Sequence, residues 1–291
     1  MRKKKLGDVI LDVLIYFILI VIVILTIYPM WYVIAASFTG STELAKNPGI
    51  FLWPKEFMTG AYKLVFSNPL FMNSLRNTLE IILISLPINI VMTLICGYFM
   101  ACTNVMWKKP ISMLILFTMF FGGGLIPSYL NIKSLGLYNS IWALILPGAL
   151  SVYNAIICKT AIEAIPASLT ESAFIDGAND FQVIFKIIMP LIKPTMAVLL
   201  LYYGVGHWNS WFGASIYLKD DAKLPVQNIL RSILLANQTL AGDANSADHF
   251  DSYAETIKYA AIVISTVPVL CVYPFLQKYF TKGVMIGAVK G

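Results

Sequence analysis

Three carboxylates lie close together in the stretch ESAFIDGAND, residues 171–180, and neighbouring carboxylates are one means of general acid and base catalysis. Their spacing indicates a structural use instead. Ser168 and Glu171 have the spacing of a capping box, in which the serine oxygen accepts from the amide three residues on and the glutamate reaches back. Gly177 follows Asp176 where a glycine in the left-handed conformation would end a short helix. We therefore expect these side chains to shape a helix and a turn, with no catalytic residue among them.

The rest of the chain offers no pattern for catalysis or for a metal site. His207 and His249 are its only histidines, and neither belongs to an H-E-x-x-H sequence or to a Cys/His metal-binding spacing. No G-x-x-x-x-G-K-[ST] sequence occurs, so the chain has no P-loop to hold the phosphates of ATP. We expect no metal and no cofactor in this chain, and any ATP and Mg²⁺ would be bound by another polypeptide.

The carboxylates must be positioned by two short helices around a glycine turn. We expect the first helix over 169–176 and the second over 181–189, with Asn179 and Gln182 as a second capping pair and Pro190 as the end or bend. One face of the first helix is formed by Leu169, Ala173 and Asp176. A helix of two turns is not stable alone in water. It either lies on the headgroups of its own membrane or fits a groove on a partner.

The flanking sequence is typical of a membrane protein. Of the 291 residues 58% are hydrophobic and 12% are charged, and the mean hydropathy is +0.76, whereas soluble domains carry about 25% charged residues. Six apolar runs reach or approach the ~20 residues that span a bilayer as helix; they occupy residues 9–34, 78–100, 111–129, 141–157, 196–216 and 259–280. The sequence thus predicts one all-α domain over 1–291 with six transmembrane helices.

The basic residues predict the orientation of these helices. Six spans place both termini on one side, and most Lys and Arg residues fall in the segments assigned to that side: Arg2, Lys3, Lys4, Lys5, Lys108, Lys109, Lys159, Lys186, Lys193, Lys278, Lys282 and Lys290. The positive-inside rule makes that side cytoplasmic. The net charge of +6 forms no soluble basic patch, so we expect no nucleic-acid partner. The first run could instead be a signal peptide cleaved after 35–37, but it exceeds an h-region of about 7–15 residues.

Residues 166–190 resemble the EAA loop of permease subunits of binding-protein-dependent ABC importers. That loop reads E-A-A, three residues, G, nine residues and I-x-L-P, and this chain keeps the same spacing with Ser172 and Met189 as size-conserving departures. In that family the loop couples the permease to its ATPase. The resemblance therefore implies a coupling role for Glu171, Ser172, Ala173, Asp176, Gly177, Ala178, Phe181, Ile187 and Pro190.

The C-terminal sequence extends the resemblance. The tail QKYFTKGVMIGAVKG, residues 277–291, is similar to that of the second permease subunit of maltose-type carbohydrate importers, whose last residues reach between two ATPase subunits. The implied ATPase-contacting residues are Lys282, Gly283, Gly287, Ala288, Lys290 and Gly291. The chain most resembles the branch that takes up oligosaccharides from plant polysaccharides, including acidic ones.

The resemblance implies a type I ABC importer permease fold and a multi-pass place in the bacterial cell membrane. It also implies its partners: a second homologous permease, two cytoplasmic ATP-binding subunits that hold ATP and Mg²⁺, an extracellular sugar-binding protein and an oligosaccharide. The alternative is a secondary transporter or channel not coupled to ATP. Proton coupling usually needs carboxylates or histidines within spans, and the predicted spans hold almost none. A membrane enzyme is a third alternative.

A cluster in the fifth run is the candidate for the substrate path. The sequence GHWNSWF at 206–212 matches a Trp-Asn pattern of the family, and aromatic faces with polar groups suit sugar binding. The residues concerned are His207, Trp208, Asn209 and Trp211. The alternative is helix packing with an interfacial aromatic belt. Three glycines at 122–124 indicate close packing or a gate hinge.

Overall fold

The computed structural model describes residues 6–46, 49, 51–102, 105–235 and 256–288. All regular secondary structure in that part of the chain is helical, which confirms the all-α prediction. The chain divides into two compact units, one formed by Met1–Pro69 with Leu230–Val267 and the other by Leu70–Ile229 with Pro268–Gly291.

The first unit is built around the C-terminal end of a long apolar helix. Its helices in chain order are α1 (Leu6–Ser37), α2 (Ser41–Lys46) and α3 (Gly60–Ser67). The most apolar 18-residue window of α1 has no buried residue, as expected of a helix that faces lipid. Near its end, Trp31 Nε1 donates to the carbonyl oxygen of Leu52 at 2.7 Å and Tyr28 OH accepts from the amide of Phe51 at 3.1 Å. These bonds fix the segment that follows α2 against α1.

The second unit contains most of the helices. They are α4 (Pro69–Ala101), α5 (Lys108–Phe120), α6 (Leu125–Ser134), α7 (Trp142–Ile145), α8 (Val152–Glu163), α9 (Ala167–Ile175), α10 (Asp180–Gln182), a π-helix (Val183–Ile188), α11 (Met189–Leu191), α12 (Lys193–Trp208), α13 (Phe212–Tyr217) and a 3₁₀ turn (Asp221–Lys223). The helix α14 (Val226–Leu235) begins in this unit and ends in the first. A final helix, α15 (Thr256–Ala288), runs through the division between the units.

Three of the apolar runs are broken. In the third run the chain bends by 113° between Lys108–Phe120 and Leu125–Ser134, at the three glycines that sequence analysis assigned to packing or a hinge. The fourth run, 141–157, is interrupted between α7 and α8, where proline and glycine at 147–148 stop a helix. The fifth run is interrupted between α12 and α13. These runs are therefore not single straight helices.

The number of membrane crossings remains a prediction. By length and composition, two helices among the described residues could each cross a membrane, Ile10–Ser37 and Pro69–Ala101. The number rises to four if each of two bent helix pairs forms one span. The second bent pair is Asp180–Leu191 with Lys193–Trp208, which meet at 90°.

One core cluster joins α4, α8, α9, the π-helix and α12. Its buried members are Ile90, Leu94, Cys158, Ile162, Ala173, Val183, Ile184, Ile188, Ile192, Met196 and Leu199. Gly97 brings α4 close to α8, because a Cβ added there would lie 2.9 Å from both Cβ and Sγ of Cys158. Small residues allow such close approach between membrane helices. The segment 166–190 is thus packed directly on two long helices.

Candidate functional site

The first helix of the 166–190 segment begins earlier than its sequence predicts. It spans Ala167–Ile175, its N-cap residue is Pro166, and no side chain caps it. The predicted capping box of Ser168 and Glu171 is therefore wrong. Because Pro166 is a favourable residue just ahead of a helix, the helix starts there and Ser168 falls inside the first turn.

The predicted glycine stop is confirmed. Gly177 has φ +82°, and two backbone bonds close the end of the helix: the Gly177 amide donates to the Phe174 carbonyl at 3.1 Å and the Ala178 amide to the Ala173 carbonyl at 2.9 Å. This pair of bonds is a Schellman motif. No atom lies within 4 Å of a Cβ added at Gly177, so it is the backbone conformation rather than crowding that requires glycine.

The second helix starts as predicted and ends later. The Asn179 side-chain oxygen accepts from the Gln182 amide at 2.9 Å, and the Gln182 side-chain oxygen accepts from the Asn179 amide at 3.0 Å, which confirms the capping pair. The chain then forms the π-helix and continues through Pro190 to the end of α11. Pro190 therefore does not end the helix, and the 90° bend follows at Ile192.

The side chains of this segment face in two directions. Ala173 is buried in the core cluster, and Ala178 and Ile187 pack against it. The other residues assigned to coupling are exposed: Glu171, Ser172, Asp176, Gly177, Phe181 and Pro190. The predicted face of Leu169, Ala173 and Asp176 is therefore split, because Ala173 turns towards the core cluster while the other two residues are exposed.

Two exposed apolar residues of this segment were missed by the sequence analysis. Ile175 is 85% exposed, and Phe174 is 46% exposed. Both lie between the E-A-A positions and the glycine, and their apolar character in an otherwise polar stretch was an available signal. Tyr98 adds a further missed contact, since its hydroxyl donates to the Asp180 carboxylate at 2.8 Å and ties the segment to α4.

The tail residues are only partly described. Lys282, Gly283, Gly287 and Ala288 belong to the last turns of α15. Lys290 and Gly291 lie outside the described residues. An ATPase contact by the tail stays a prediction.

A groove of about 750 Å³ lies beside α8 and α12. Its polar lining comes from Ser151, Tyr153, Asn154, Tyr202, Tyr203, His207 and Ser210. Among the described residues that line it there is no Lys, Arg, Asp or Glu. We call it the His207 groove. Its hydroxyl, amide and aromatic groups can bind a polyhydroxylated ligand without an ion pair.

A hydrogen-bond network fixes His207 in this groove. Asn89 is fully buried in α4, and its side-chain NH₂ donates to the carbonyl oxygens of Gly148 at 2.7 Å and Ala149 at 3.0 Å. The amide oxygen of Asn89 therefore faces His207 Nε2, at 2.9 Å. Because that oxygen only accepts, Nε2 carries a proton, and in the neutral form of the imidazole Nδ1 is then the acceptor.

Tyr203 forms a second pair of hydrogen bonds in this groove. The Tyr203 hydroxyl accepts from the Ser151 amide at 2.9 Å and stands 2.7 Å from the Thr93 hydroxyl. Either of these two hydroxyls can be the donor in the bond between Tyr203 and Thr93. Asn89, Thr93 and Tyr203 were not predicted, because each bond joins residues far apart in the sequence.

The four predicted substrate-path residues are separated by the fold. His207 lines the groove. Trp208 is buried, with 5% of its surface exposed, as the packing interpretation expects. Asn209 and Trp211 follow the end of α12, and neither belongs to the groove lining.

These features define a class of protein: a helical membrane subunit in which a helix–turn–helix segment is anchored on the long helices and a polar groove lies beside α8 and α12. The chain belongs to the family described as "Binding-protein-dependent transport system inner membrane component", whose sequence pattern matches residues 81–286. It is thus a permease subunit of a transport system rather than an enzyme, as the resemblance predicted.

Two relatives from Bacillus subtilis (strain 168) cover almost the whole chain. The "Polygalacturonan/rhamnogalacturonan transport system permease protein YtcP" is 40% identical over 281 residues, which are 96% of this chain and 98% of that protein. "Protein LplC" is 42% identical over 267 residues, which are 92% of this chain and 90% of that protein.

Solved structures share the fold. A chain from a bacterial ABC transporter involved in the import of the acidic polysaccharide alginate superposes with TM-score 0.89 at 29% identity, covering 96% of this chain and 100% of that one. A chain from a bacterial alginate ABC transporter in complex with an alginate pentasaccharide-bound periplasmic protein superposes with TM-score 0.56 at 18% identity. It covers 93% of this chain and 94% of that one. The fold is that of an ABC importer permease.

Proposed function

We propose that this chain is the transmembrane permease subunit of an ATP-driven importer that moves an oligosaccharide across the bacterial cell membrane. The substrates named for its relatives support this class: one is a polygalacturonan/rhamnogalacturonan permease, and the solved structure with the higher TM-score belongs to an alginate importer. The cargo in this proposal derives from a polysaccharide and includes acidic sugars.

The proposed complex has four kinds of protein subunit. A second, homologous permease pairs with this chain, two cytoplasmic ATP-binding subunits hold ATP and Mg²⁺, and an extracellular protein delivers the sugar. The periplasmic protein of the alginate transporter complex supports the last of these. The permease crosses the membrane six times with both termini in the cytoplasm, an orientation that the positive-inside rule supports.

The exposed apolar side chains of the 166–190 segment carry the proposal of ATP coupling. Ile175 and Phe181 protrude, at 85% and 66% exposure, while Ala173 holds the same segment against the core. Apolar side chains on an anchored backbone suit a pocket on a partner protein. In this mechanism the ATP-binding subunits move the segment, and the helices packed on it change between inward- and outward-facing states that each ligand stabilises differently.

The His207 groove is the proposed part of the sugar path on this chain. Tyr153 and Tyr202 offer aromatic faces, Asn154 and Ser151 offer hydrogen bonds, and His207 Nδ1 accepts from a sugar hydroxyl. The lining is uncharged, so it suits hydroxyl groups better than carboxylates. Acidic units would then be recognised elsewhere, on the second permease or on the binding protein.

The test is sugar uptake by the complete complex reconstituted in vesicles, with either ATP or an ion gradient as the energy source. We expect uptake with ATP inside the ATPase-facing compartment and none with a gradient alone. Ile175→Asp should weaken assembly of the ATP-binding subunits about 30-fold, since central apolar anchors contribute about 2 kcal/mol. Ile175→Leu is the matched control and should assemble normally. Gradient-driven uptake, or normal assembly of Ile175→Asp, would refute the proposal.

A further inference from the structure

A second cavity, of about 470 Å³, lies where the end of α4, the start of α5 and the second half of α8 meet. Lys108, Lys109 and Lys159 bring three ammonium groups to it, and Met100, Met113 and Leu116 form much of its apolar part. We call it the lysine pocket. It shares no lining residue with the His207 groove.

The lysines of this pocket are not balanced by acids. Glu163 pairs with Lys159 at 2.9 Å and neutralises one of the three charges. Among the described residues, Lys108 Nζ donates to one backbone carbonyl, that of Ala101 at 3.5 Å. In the part of the chain that the structure describes, neither Lys108 nor Lys109 has a carboxylate partner. The pocket therefore retains a surplus of positive charge beside an apolar wall.

A buried hydroxyl adds a hydrogen-bond donor. Ser112 is one of the residues that line the pocket, and its Oγ is shielded from solvent with no hydrogen-bond partner among the described residues. Such groups normally have a partner. Ser112 lies one turn into α5, and the positive end of that helix dipole also favours an anion. Two ammonium groups, a hydroxyl and a helix start together suit a phosphate.

The residues just before the pocket are those of a membrane interface. Met106 and Trp107 are 81% and 68% exposed, and tryptophan is enriched where hydrocarbon meets headgroups. Trp107 also has φ +62°, a left-handed conformation that is uncommon for a bulky residue. An exposed tryptophan beside two lysines places the pocket at headgroup depth.

We propose that the lysine pocket binds the headgroup phosphate of an anionic phospholipid from the cytoplasmic leaflet. Lys108 and Lys109 would neutralise the phosphate, Ser112 would donate to it, and an acyl chain would lie along Met113 and Leu116. Basic pockets between helices on the cytoplasmic side are suited to such lipids. The inference rests on the cytoplasmic orientation given under Proposed function, but its test does not depend on transport.

The experiment is native mass spectrometry of the purified permease complex with phosphatidylglycerol or phosphatidylcholine added in equal amounts. We expect phosphatidylglycerol to remain bound after detergent removal and phosphatidylcholine to dissociate. The variant Lys108→Gln/Lys109→Gln should retain about 25-fold less phosphatidylglycerol, because each lysine near an anionic headgroup contributes about fivefold. Lys108→Arg/Lys109→Arg should bind normally, which separates loss of charge from loss of fold.

A double variant of two lysines outside the pocket is the control. Lys133→Gln/Lys219→Gln removes the same charge away from the pocket and should leave lipid binding unchanged. Equal binding of phosphatidylcholine, equal losses in the two Gln pairs, or no loss in the first pair would overturn the proposal. Displacement of the lipid by millimolar glycerol phosphate would assign the pocket to a soluble phosphate. If the isolated chain binds the lipid and the complex does not, the occupant of the pocket in the complex is a carboxylate of a partner subunit.

Discussion

Replacing Gly177 tests the helix stop without any change in packing. The residue sits at φ +82°, and a Cβ added there meets no atom within 4 Å. Three substitutions therefore differ only in how they tolerate the left-handed conformation: Asn adopts it readily, Ala at a cost, and Val, which is β-branched, least of all.

The expected free-energy cost of each substitution follows from the backbone conformation alone. A left-handed conformation costs a non-glycine residue about 1–2 kcal/mol, which increases the population of an opened helix end about 5- to 30-fold. For Gly177→Val the cost approaches ~3 kcal/mol, the upper range for a strained residue. Opening breaks both bonds of the Schellman motif, including the 2.9 Å bond from the Ala178 amide to the Ala173 carbonyl.

Two measurements detect the opening of this helix end. Hydrogen exchange of the Ala178 amide should accelerate in the order Asn, Ala, Val, each compared with the wild-type chain. In the reconstituted complex, the sugar transported per ATP hydrolysed should fall in the same order, because a frayed segment no longer transmits the motion of the ATPase. Membrane insertion should be the same for all three variants.

The result that refutes this reasoning is wild-type exchange and wild-type transport in Gly177→Val. Equal defects in the Asn and Val variants would also contradict it. In that case the requirement for glycine would come from crowding in the assembled complex, since the chain itself leaves that space open.

Three further predictions concern the contacts of α4. Gly97→Ala should destabilise the purified protein by about 1–3 kcal/mol, seen as a lower thermal midpoint, because the new Cβ stands 2.9 Å from Cys158. Gly204→Ala is the control and should leave the thermal midpoint unchanged, because no atom lies within 4 Å of its Cβ. Equal shifts in the two variants would contradict the argument. Asn89→Asp should be at least as damaging as Asn89→Ala in chemical denaturation, by about 1–3 kcal/mol, since a carboxylate cannot donate to the two carbonyls; a neutral Asp variant would refute the assigned amide orientation. Tyr98→Phe should raise hydrogen exchange in residues 178–185 with a global cost of about 0.5–1.5 kcal/mol, and unchanged exchange would show that its bond does not hold the segment.

Features that depend on a few neighbouring residues could be predicted from the sequence. The stop at Gly177 and the capping pair of Asn179 and Gln182 involve residues within five positions of one another, so spacing alone specifies them. The capping box at Ser168 satisfied the same kind of rule and was still wrong. Two start signals competed there, and Pro166 defined the beginning of the helix two residues earlier.

Features that depend on tertiary structure could not be predicted. The bond between Asn89 and His207 joins residues 118 positions apart, and that between Tyr98 and Asp180 joins residues 82 apart. Nothing in either local sequence identifies the partner. The breaks in the apolar runs were missed for a different reason, because hydropathy measures whether a segment suits lipid and not whether its backbone continues as one helix. The burial of Ala173 likewise became visible only once α8 and the π-helix were placed.

The two bonds of α4 have a mechanical consequence when they are considered together. Tyr98 holds the 166–190 segment and Asn89 holds His207, and these two residues lie nine positions apart in regular helix beyond Pro87. At 1.5 Å per residue their separation along the axis is about 14 Å. A stiff rod of that length passes a displacement at one end to the other almost unchanged. Any shift imposed on the 166–190 segment therefore also moves the amide that orients the imidazole, without any intermediate hinge.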